Sequence, residues 1–250
     1  YFDDERNVAF GHRRLSIIDL SENGKQPMSN ADGSVWITFN GEIYNFQEIK
    51  KDLEGKYKFV STSDTEVLLH AYEEWGLEQT LQRLNGMFAF AILDKKNNVV
   101  ACARDRIGIK PFYYGFDGDT FLFASELKSI VACNRFSKQP DPDAIADYLN
   151  YRYIPYPRAA FKNTYKLEPG FQLVFDLKDF SFRKKPYWEL RCEPDESITE
   201  EVALGTTREL LRDSVQKRLI ADVKVETFLS GGIDSSFVPG LASPLSPDIS

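Results

Sequence analysis

Short apolar and aromatic runs separated by turn residues dominate the first half of the chain. Residues 35–39, 88–93, 98–103 and 120–124 are rich in Val, Ile, Phe and Ala and are bounded by Gly, Asn, Asp or Lys, which predicts strands of a mostly antiparallel system. Two amphipathic helices sit among them. Asn45-x-x-Glu48 and Ser63-x-x-Glu66 both have the capping-box pattern. The first precedes Phe46, Ile49 and Leu53, and the second precedes Val67, Leu68, Ala71 and Trp75, at helical spacing. Leu77, Leu81 and Leu84 after Gly76 form a third amphipathic segment.

The texture changes near Pro140. Asp141-Pro142 predicts the start of a short helix running through Leu149. Pro155, Pro157, Glu168-Pro169-Gly170 and Pro186 then punctuate an irregular stretch, inside which residues 172–175 and 180–183 predict a hairpin. An acidic tract at 193–201 leads into a helix bearing Leu204, Leu211, Val215 and Leu219. Residues 223–229 then read as a buried strand running into Ser230-Gly231-Gly232, the opening of a parallel α/β unit.

Composition narrows the classes. A chain of 250 residues with 42% hydrophobic and 14% aromatic content can bury one large core or two small ones, which excludes a disordered or collagen-like chain. The 31 basic and 38 acidic side chains leave a net charge of −7, so no basic surplus exists for a nucleic-acid backbone. The longest uncharged apolar run, 87–93, is far short of the ~20 residues a membrane helix needs. Cys102, Cys133 and Cys192 are widely spaced, without a CxxC pair, and only His12 and His70 accompany them; this argues against zinc and against a disulfide framework, and fits a reducing cytoplasm. Cys102 lies in an apolar run with no adjacent base, so it and the other two cysteines read as buried packing residues, not nucleophiles. The two histidines read as structural.

Four places carry candidate chemistry, each with a plainer alternative. Leu229-Ser230-Gly231-Gly232-Ile233-Asp234-Ser235-Ser236 combines two glycines, which let backbone approach a ligand, with hydroxyl donors and one carboxylate that could hold Mg²⁺; the alternative is an ordinary Gly-Gly turn. Asn40-Gly41-Glu42 offers a carboxamide and a glycine N–H, the donor pair of an oxyanion hole, beside a carboxylate; Asn-Gly is equally the commonest hairpin turn. Arg14 can fork onto a carboxylate or simply sit with Arg13 on a solvated strand edge. Asp64 can bind an ammonium or only complement a helix dipole.

Taken in order, HRRLSIIDL, FNGEIYN, STSDTEV, GMFAFAILD, ARDRIGIKPFYYG, ASELKSI, LEPG and LSGGIDSS resemble glutamine-dependent asparagine synthetase over essentially the whole chain. The resemblance implies an α+β chain: a four-layer α-β-β-α N-terminal-nucleophile-type glutamine amidotransferase domain over 1–190, then the beginning of an α/β adenine-nucleotide domain of ATP-pyrophosphatase type over 191–250. It makes Arg14 the group that holds the glutamine α-carboxylate and puts the backbone of Leu15, Ser16, Ile17 and Ile18 in the same pocket. Asn40 and Gly41 become the oxyanion hole, Glu42 and Asp64 the ammonium acceptors. Leu229, Ser230, Gly231, Gly232, Asp234, Ser235 and Ser236 become the ATP-binding loop, with Asp234 a Mg²⁺ ligand. The implied partners are L-glutamine, L-aspartate and ATP, with neither zinc nor haem, in the cytoplasm, and a homodimer is among the expectations. The same architecture also serves other acceptors, such as a sugar acid or an antibiotic precursor, and a non-catalytic module could retain it.

Three departures accompany the resemblance. The family's cysteine nucleophile stands at a mature amino terminus, whereas this sequence begins at Tyr1, so the chain is expected to be a piece of a longer protein and inactive as a glutaminase alone. It ends shortly after SGGIDSS, so the rest of a synthetase domain is expected beyond it. Pro239-Gly240 fall where the family continues a helix, and because an interior proline costs about 3 kcal/mol an interrupted helix is expected there.

Overall fold

The computed structural model describes residues 1–134 and 136–246. In chain order it forms β1 (Phe2–Asp3), β2 (Val8–Ala9), a 3-10 turn (Glu22–Gly24), β3 (Met28–Ser29), β4 (Val35–Ile43), α1 (Phe46–Leu53), α2 (Asp64–Arg83), β5 (Gly86–Asp94), β6 (Val99–Arg104), β7 (Tyr113–Phe116), β8 (Phe121–Ala124), α3 (Leu127–Val131), α4 (Pro142–Tyr151), β9 (Thr164–Lys166), β10 (Phe171–Asp176), β11 (Ser181–Pro186), α5 (Glu200–Arg218) and α6 (Ile233–Ala242). The chain divides into two units. One holds Tyr1–Arg14, Lys25–Lys58 and Asp64–Glu189; the other holds Leu15–Gly24, Phe59–Ser63 and Leu190 onward.

In the first unit an antiparallel sheet has the order β11-β10-β6-β5-β4-β3, and a smaller one the order β8-β7-β9. Alternation assigns the faces. Trp36, Thr38 and Asn40 pair with Leu93, Ala91 and Ala89 and share one face; Ile37 and Phe39 pair with Ile92 and Phe90 on the other. On the first face Ala89, Ala91, Leu93, Val100, Cys102, Leu173 and Phe175 form one core with Phe112 and Tyr114, so this is the face toward the smaller sheet. Small residues there leave room for rings from that sheet, and Phe121 stacks on Phe175 with centroids 4.7 Å apart. α1 and α2 cover the opposite face, burying Phe46, Ile49, Leu53, Leu68 and Leu69. Tyr114 points into the inter-sheet core, so its neighbour Gly115 points outward. There the Phe136 ring lies 2.7 Å from where a Cβ would stand, and α3 lies against β7 and β8. The order is helix, sheet, sheet, helix, the expected four layers. Each large side chain buried between them contributes about 1.5–3 kcal/mol.

β4 runs to Ile43, with Asn40 opposite Ala89 and Gly41 opposite Phe88. Asn40-Gly41 is therefore ladder, not turn. The predicted capping box at Asn45 does not form. Its side chain instead accepts Asn85 N–H and donates to Arg83 O, each at 2.9 Å, because α1 starts beside the end of α2. The second and third predicted helical segments are the two halves of α2, separated at Gly76, whose φ of 69° and ψ of 176° lie outside the helical region and are open to glycine. α4 begins as its sequence requires, with Asp141 accepting Asp143 N–H at 3.0 Å and Pro142 in the first turn.

His70 is buried on α2 between Glu66 (3.8 Å) and Glu73 (2.8 Å), with Tyr57 stacked on its ring at 4.6 Å. Burial opposes its charge, but hydrogen bonds to the two glutamates and their charges outweigh it and raise the imidazole to about 9. Its role is structural.

In the second unit α5 is capped by Thr199, which accepts Val202 N–H at 3.4 Å. The strand expected over 223–229 is not there. Phe228 is 98% and Leu229 69% exposed, and the segment has no ladder partner among the described residues. Apolar content does not make a strand without a neighbour to pair with. α6 runs through Pro239 without interruption, contrary to expectation, with the Pro239 carbonyl accepting Ser243 N–H at 2.9 Å. Cys102 is buried, which pushes its thiol up, but Cys192 is exposed, because its flanking segment is polar and unpacked. Among the described residues no helix is long and apolar enough to cross a membrane.

Candidate functional site

The carboxyl end of β4 carries Asn40, Gly41 and Glu42, with Asp64 bonded to it. Asn40 points to the inter-sheet side, and its Nδ2 donates to Ser125 Oγ, just past β8, at 3.3 Å. A carboxamide has two N–H donors, so one anchors Asn40 to the smaller sheet while the other can serve a ligand. Gly41 is required by space. A Cβ there would stand 2.1 Å from Met87 O and 2.7 Å from Phe88 Cα. On the partner strand, opposite Ile43, a Cβ on Gly86 would stand 2.3 Å from Glu42 O, so β4 and β5 approach closer than side chains permit.

Two clamps fix this segment from the helix side. Buried Gln26 accepts Phe39 N–H with Oε1 at 2.7 Å and donates to Thr65 Oγ1 with Nε2 at 3.2 Å. Asp64, also buried, accepts Ile43 N–H at 2.9 Å. The first two residues of α2 are thus tied to β4 on either side of Asn40, Gly41 and Glu42. Asp64 is buried negative charge at a helix amino terminus, where the helix dipole favours it.

His12 and Arg14 lie on the strand-like segment beside β4. His12 Nδ1 lies 3.2 Å from Thr38 Oγ1, two residues before Asn40 on the same face. Burial, and then the charge of Arg14, lower the His12 pKa, so the imidazole is neutral beside a guanidinium.

The ARDRIGIKP segment braces β5 behind Gly41. Asp105, fully buried, accepts N–H groups of Phe88 (3.2 Å), Ile109 (2.8 Å) and Lys110 (2.9 Å). Arg104 donates to the carbonyls of Lys110, Leu167 and Gly108 at 2.7, 2.7 and 2.8 Å. Sequence reasoning gave no role to Gln26, Thr65, Arg104, Asp105 or Ser125. The one available signal was the order of motif segments containing Arg104, Asp105 and Ser125; nothing marked Gln26.

Leu15, Ser16, Ile17 and Ile18 group with the second unit. Leu15 is 84% exposed and Ile18 buried. The loop 229–236 also lies in that unit. Ser230 Oγ donates to Ser235 Oγ at 2.9 Å, while the Ser235 and Ser236 hydroxyls donate to Gly232 O at 3.1 and 2.8 Å. Gly231 has φ 81°, and Gly232, the N-cap of α6, makes no side-chain cap hydrogen bond. Asp234 stands in the first turn of α6. Among the described residues no cluster of three or more metal-ligating side chains exists, so a cation here would depend on Asp234 and phosphate oxygens together, the usual manner of Mg²⁺.

Within this four-layer fold Asn40 and Gly41 sit near the end of β4, just before Ile43, whose N–H the buried Asp64 accepts. A family model described as "Glutamine amidotransferase domain" matches residues 1–188, and one described as "Asparagine synthase" matches 206–250. The chain belongs to the glutamine amidotransferase domain family. Asparagine synthetase (glutamine-hydrolyzing) 1 of Bacillus subtilis (strain 168) is 42% identical over 250 residues, covering 100% of this chain and 39% of that protein. Asparagine synthetase (glutamine-hydrolyzing) 3 of the same organism is 39% identical over 244 residues, covering 96% and 39%. Amidase chry2 of Gibberella zeae is 36% identical over 249 residues, covering 98% and 36%. The chain therefore spans less than half the length of these relatives. A solved structure described as "structure of the allosteric regulatory enzyme of purine biosynthesis" shares the fold, with a TM-score of 0.50 at 20% identity, covering 96% of this chain and 50% of that one.

Proposed function

We propose that this chain is the glutamine-handling portion, and the start of the nucleotide-handling portion, of a glutamine-hydrolysing asparagine synthetase. The observation that carries the reading is the seating of Asn40-Gly41 in the β4–β5 ladder between the Gln26–Thr65 and Asp64–Ile43 clamps. In this reading Arg14 takes the glutamine α-carboxylate, and Glu42 and Asp64 take its ammonium.

The Asn40 carboxamide and the Gly41 N–H receive the oxyanion that forms when a cysteine thiolate attacks the glutamine amide. Each such donor lowers the barrier by about 3–4 kcal/mol, because it is fixed before charge develops. Collapse of that intermediate expels ammonia and leaves a glutamyl thioester, which water hydrolyses to glutamate; ATP activates an aspartate β-carboxylate as its adenylate with loss of pyrophosphate, and the ammonia displaces AMP to give asparagine. Loop 229–236 holds the ATP phosphates on the N–H groups opening α6. Asp234 is the residue that would hold Mg²⁺, which supplies neutralisation of the pyrophosphate charge.

The test separates the two nitrogen sources. In the full-length protein, Arg14→Lys is expected to lower glutamine-dependent kcat/KM roughly 10- to 100-fold, since lysine keeps the charge but loses the planar fork. Ammonia-dependent synthesis bypasses the pocket and should persist. An equal fall in both activities would make Arg14 a structural residue and the reading wrong.

A further inference from the structure

The outer edge of β4 presents three backbone donors in a row, and side chains cap two of them. β4 and β5 are antiparallel, and Tyr44 N–H donates to Asn85 O at 2.8 Å just past the ladder. Even-numbered residues of β4 therefore turn their N–H groups toward β5 and odd-numbered ones away from it. The partner strand agrees. Phe88, opposite Gly41, spends both backbone groups on Asp105, its carbonyl accepting Asp105 N–H at 2.7 Å and its N–H donating to Oδ2 at 3.2 Å. The N–H groups of Phe39, Gly41 and Ile43 thus face one side, beyond the stretch that β3 covers at Trp36 and Ile37.

Phe39 N–H meets Gln26 Oε1 at 2.7 Å, and Ile43 N–H meets Asp64 Oδ2 at 2.9 Å. Among the described residues no acceptor lies against the Gly41 N–H between them. An oxygen that comes to this edge finds that donor unspent, beside the second amide N–H of Asn40. Gln26 suits its place. It is buried, and its Nε2 donating to Thr65 Oγ1 at 3.2 Å fixes which end of the carboxamide faces Phe39. A backbone N–H can only donate, so Oε1 turns to it. All of these groups lie in the first unit.

We propose that Gln26 is a positioning residue for the oxyanion hole: by taking the Phe39 N–H it stiffens the outer edge of β4 and leaves the Gly41 N–H, two residues on, as the donor for a ligand oxygen. The inference rests on the proposed function, which makes that N–H an oxyanion donor, and adds to it a residue that touches no reacting atom. Gln26 acts through the strand. Without its oxygen the Phe39 N–H is a buried donor with no acceptor, and β4 shifts to find one. A small shift at Gly41 changes the distance to a charge that exists only in the transition state, so the loss falls on kcat.

The test pairs glutaminase kinetics of the full-length protein with amide hydrogen exchange in the 250-residue chain. Gln26→Met keeps the length of the side chain and removes both polar atoms. It is expected to speed exchange at Phe39 and to lower glutaminase kcat roughly tenfold, with glutamine KM and ammonia-dependent synthesis nearly unchanged. Gln26→Glu keeps an acceptor for the Phe39 N–H and should recover most of the turnover. Thr80→Val, which removes a buried hydroxyl bond to Ala71 O elsewhere on α2, should leave kcat as in wild type. If Gln26→Met fails to fold, Thr65→Val decides, because it frees the Gln26 carboxamide without removing its oxygen. Lower kcat at constant KM then supports the proposal, and unchanged kcat overturns it. Faster exchange at Phe39 with unchanged kcat would make the clamp purely structural and overturn the inference alone, as would a raised KM with kcat preserved or an equal fall in ammonia-dependent synthesis. A full-length wild-type protein that hydrolyses no glutamine would overturn the proposed function, and the inference with it.

Discussion

Asn40→Ala in the full-length protein is expected to lower glutaminase turnover by roughly 10²- to 10³-fold while leaving the glutamine KM nearly unchanged. The size follows from where the carboxamide sits. Its strand is locked by pairing with Ala89 and by the Gln26 bond to Phe39, and its Nδ2 is aimed by Ser125 Oγ at 3.3 Å. A donor this constrained undergoes little reorganisation as charge develops, so its loss appears in kcat. Ammonia-dependent synthesis should persist in the same variant. A large rise in KM with kcat preserved would mark Asn40 as a ground-state binding residue and remove the oxyanion assignment.

Gly41→Ala should be the most damaging single methyl in the molecule. The added carbon would stand 2.1 Å from Met87 O, 2.7 Å from Phe88 Cα and 3.0 Å from Phe88 Cβ, all on the strand paired with β4. These are backbone atoms or atoms tied directly to it, so relief requires the ladder to open. Asp105 resists that movement by holding Phe88 N–H from the other side. Overpacking of this kind costs about 3 kcal/mol, which for a chain of this size lowers Tm by roughly 6–12 °C. Glutamine turnover should fall to background, because Asn40 is displaced with the strand. Gly205→Ala is the control. It meets nothing within 4 Å, lies in α5, and should be neutral or stabilising by about 0.5–1 kcal/mol. A Gly41→Ala protein that melts and turns over like wild type would contradict the close approach of β4 and β5.

What could be read from the sequence follows the range of the interactions involved. The longer apolar strands β4, β5, β6, β8, β10 and β11 were legible because their pattern is local, and α4 because Asp141 and Pro142 carry its start. The short β1, β2, β3, β7 and β9 carried too few residues to show a pattern of their own. Asn40-Gly41 was ambiguous for a physical reason: the same dipeptide serves a hairpin turn or a strand end. Pairing to β5 decides between them, and Gly86 is part of that pairing. Gln26 carried no signal, since its bonds reach residues 13 and 39 positions away. Asn45 looked like a cap and became a brace, because Asn85 lies 40 residues on. The segment 223–229 had the apolar content of a strand and no partner, and Pro239 did not end α6.

The central claim is that Asn40, Gly41 and their neighbours form a glutamine site, and amide chemical-shift titration of the 250-residue chain tests it most directly. Addition of L-glutamine should shift the Asn40 side-chain NH₂ and the Gly41 and Asp64 amides together, saturably and with one Kd. D-glutamine should leave them in place, because Arg14 and Asp64 read the two charged groups on one α-carbon of fixed hand. Absence of saturable shifts at these positions, or equal shifts with both enantiomers, would contradict the account.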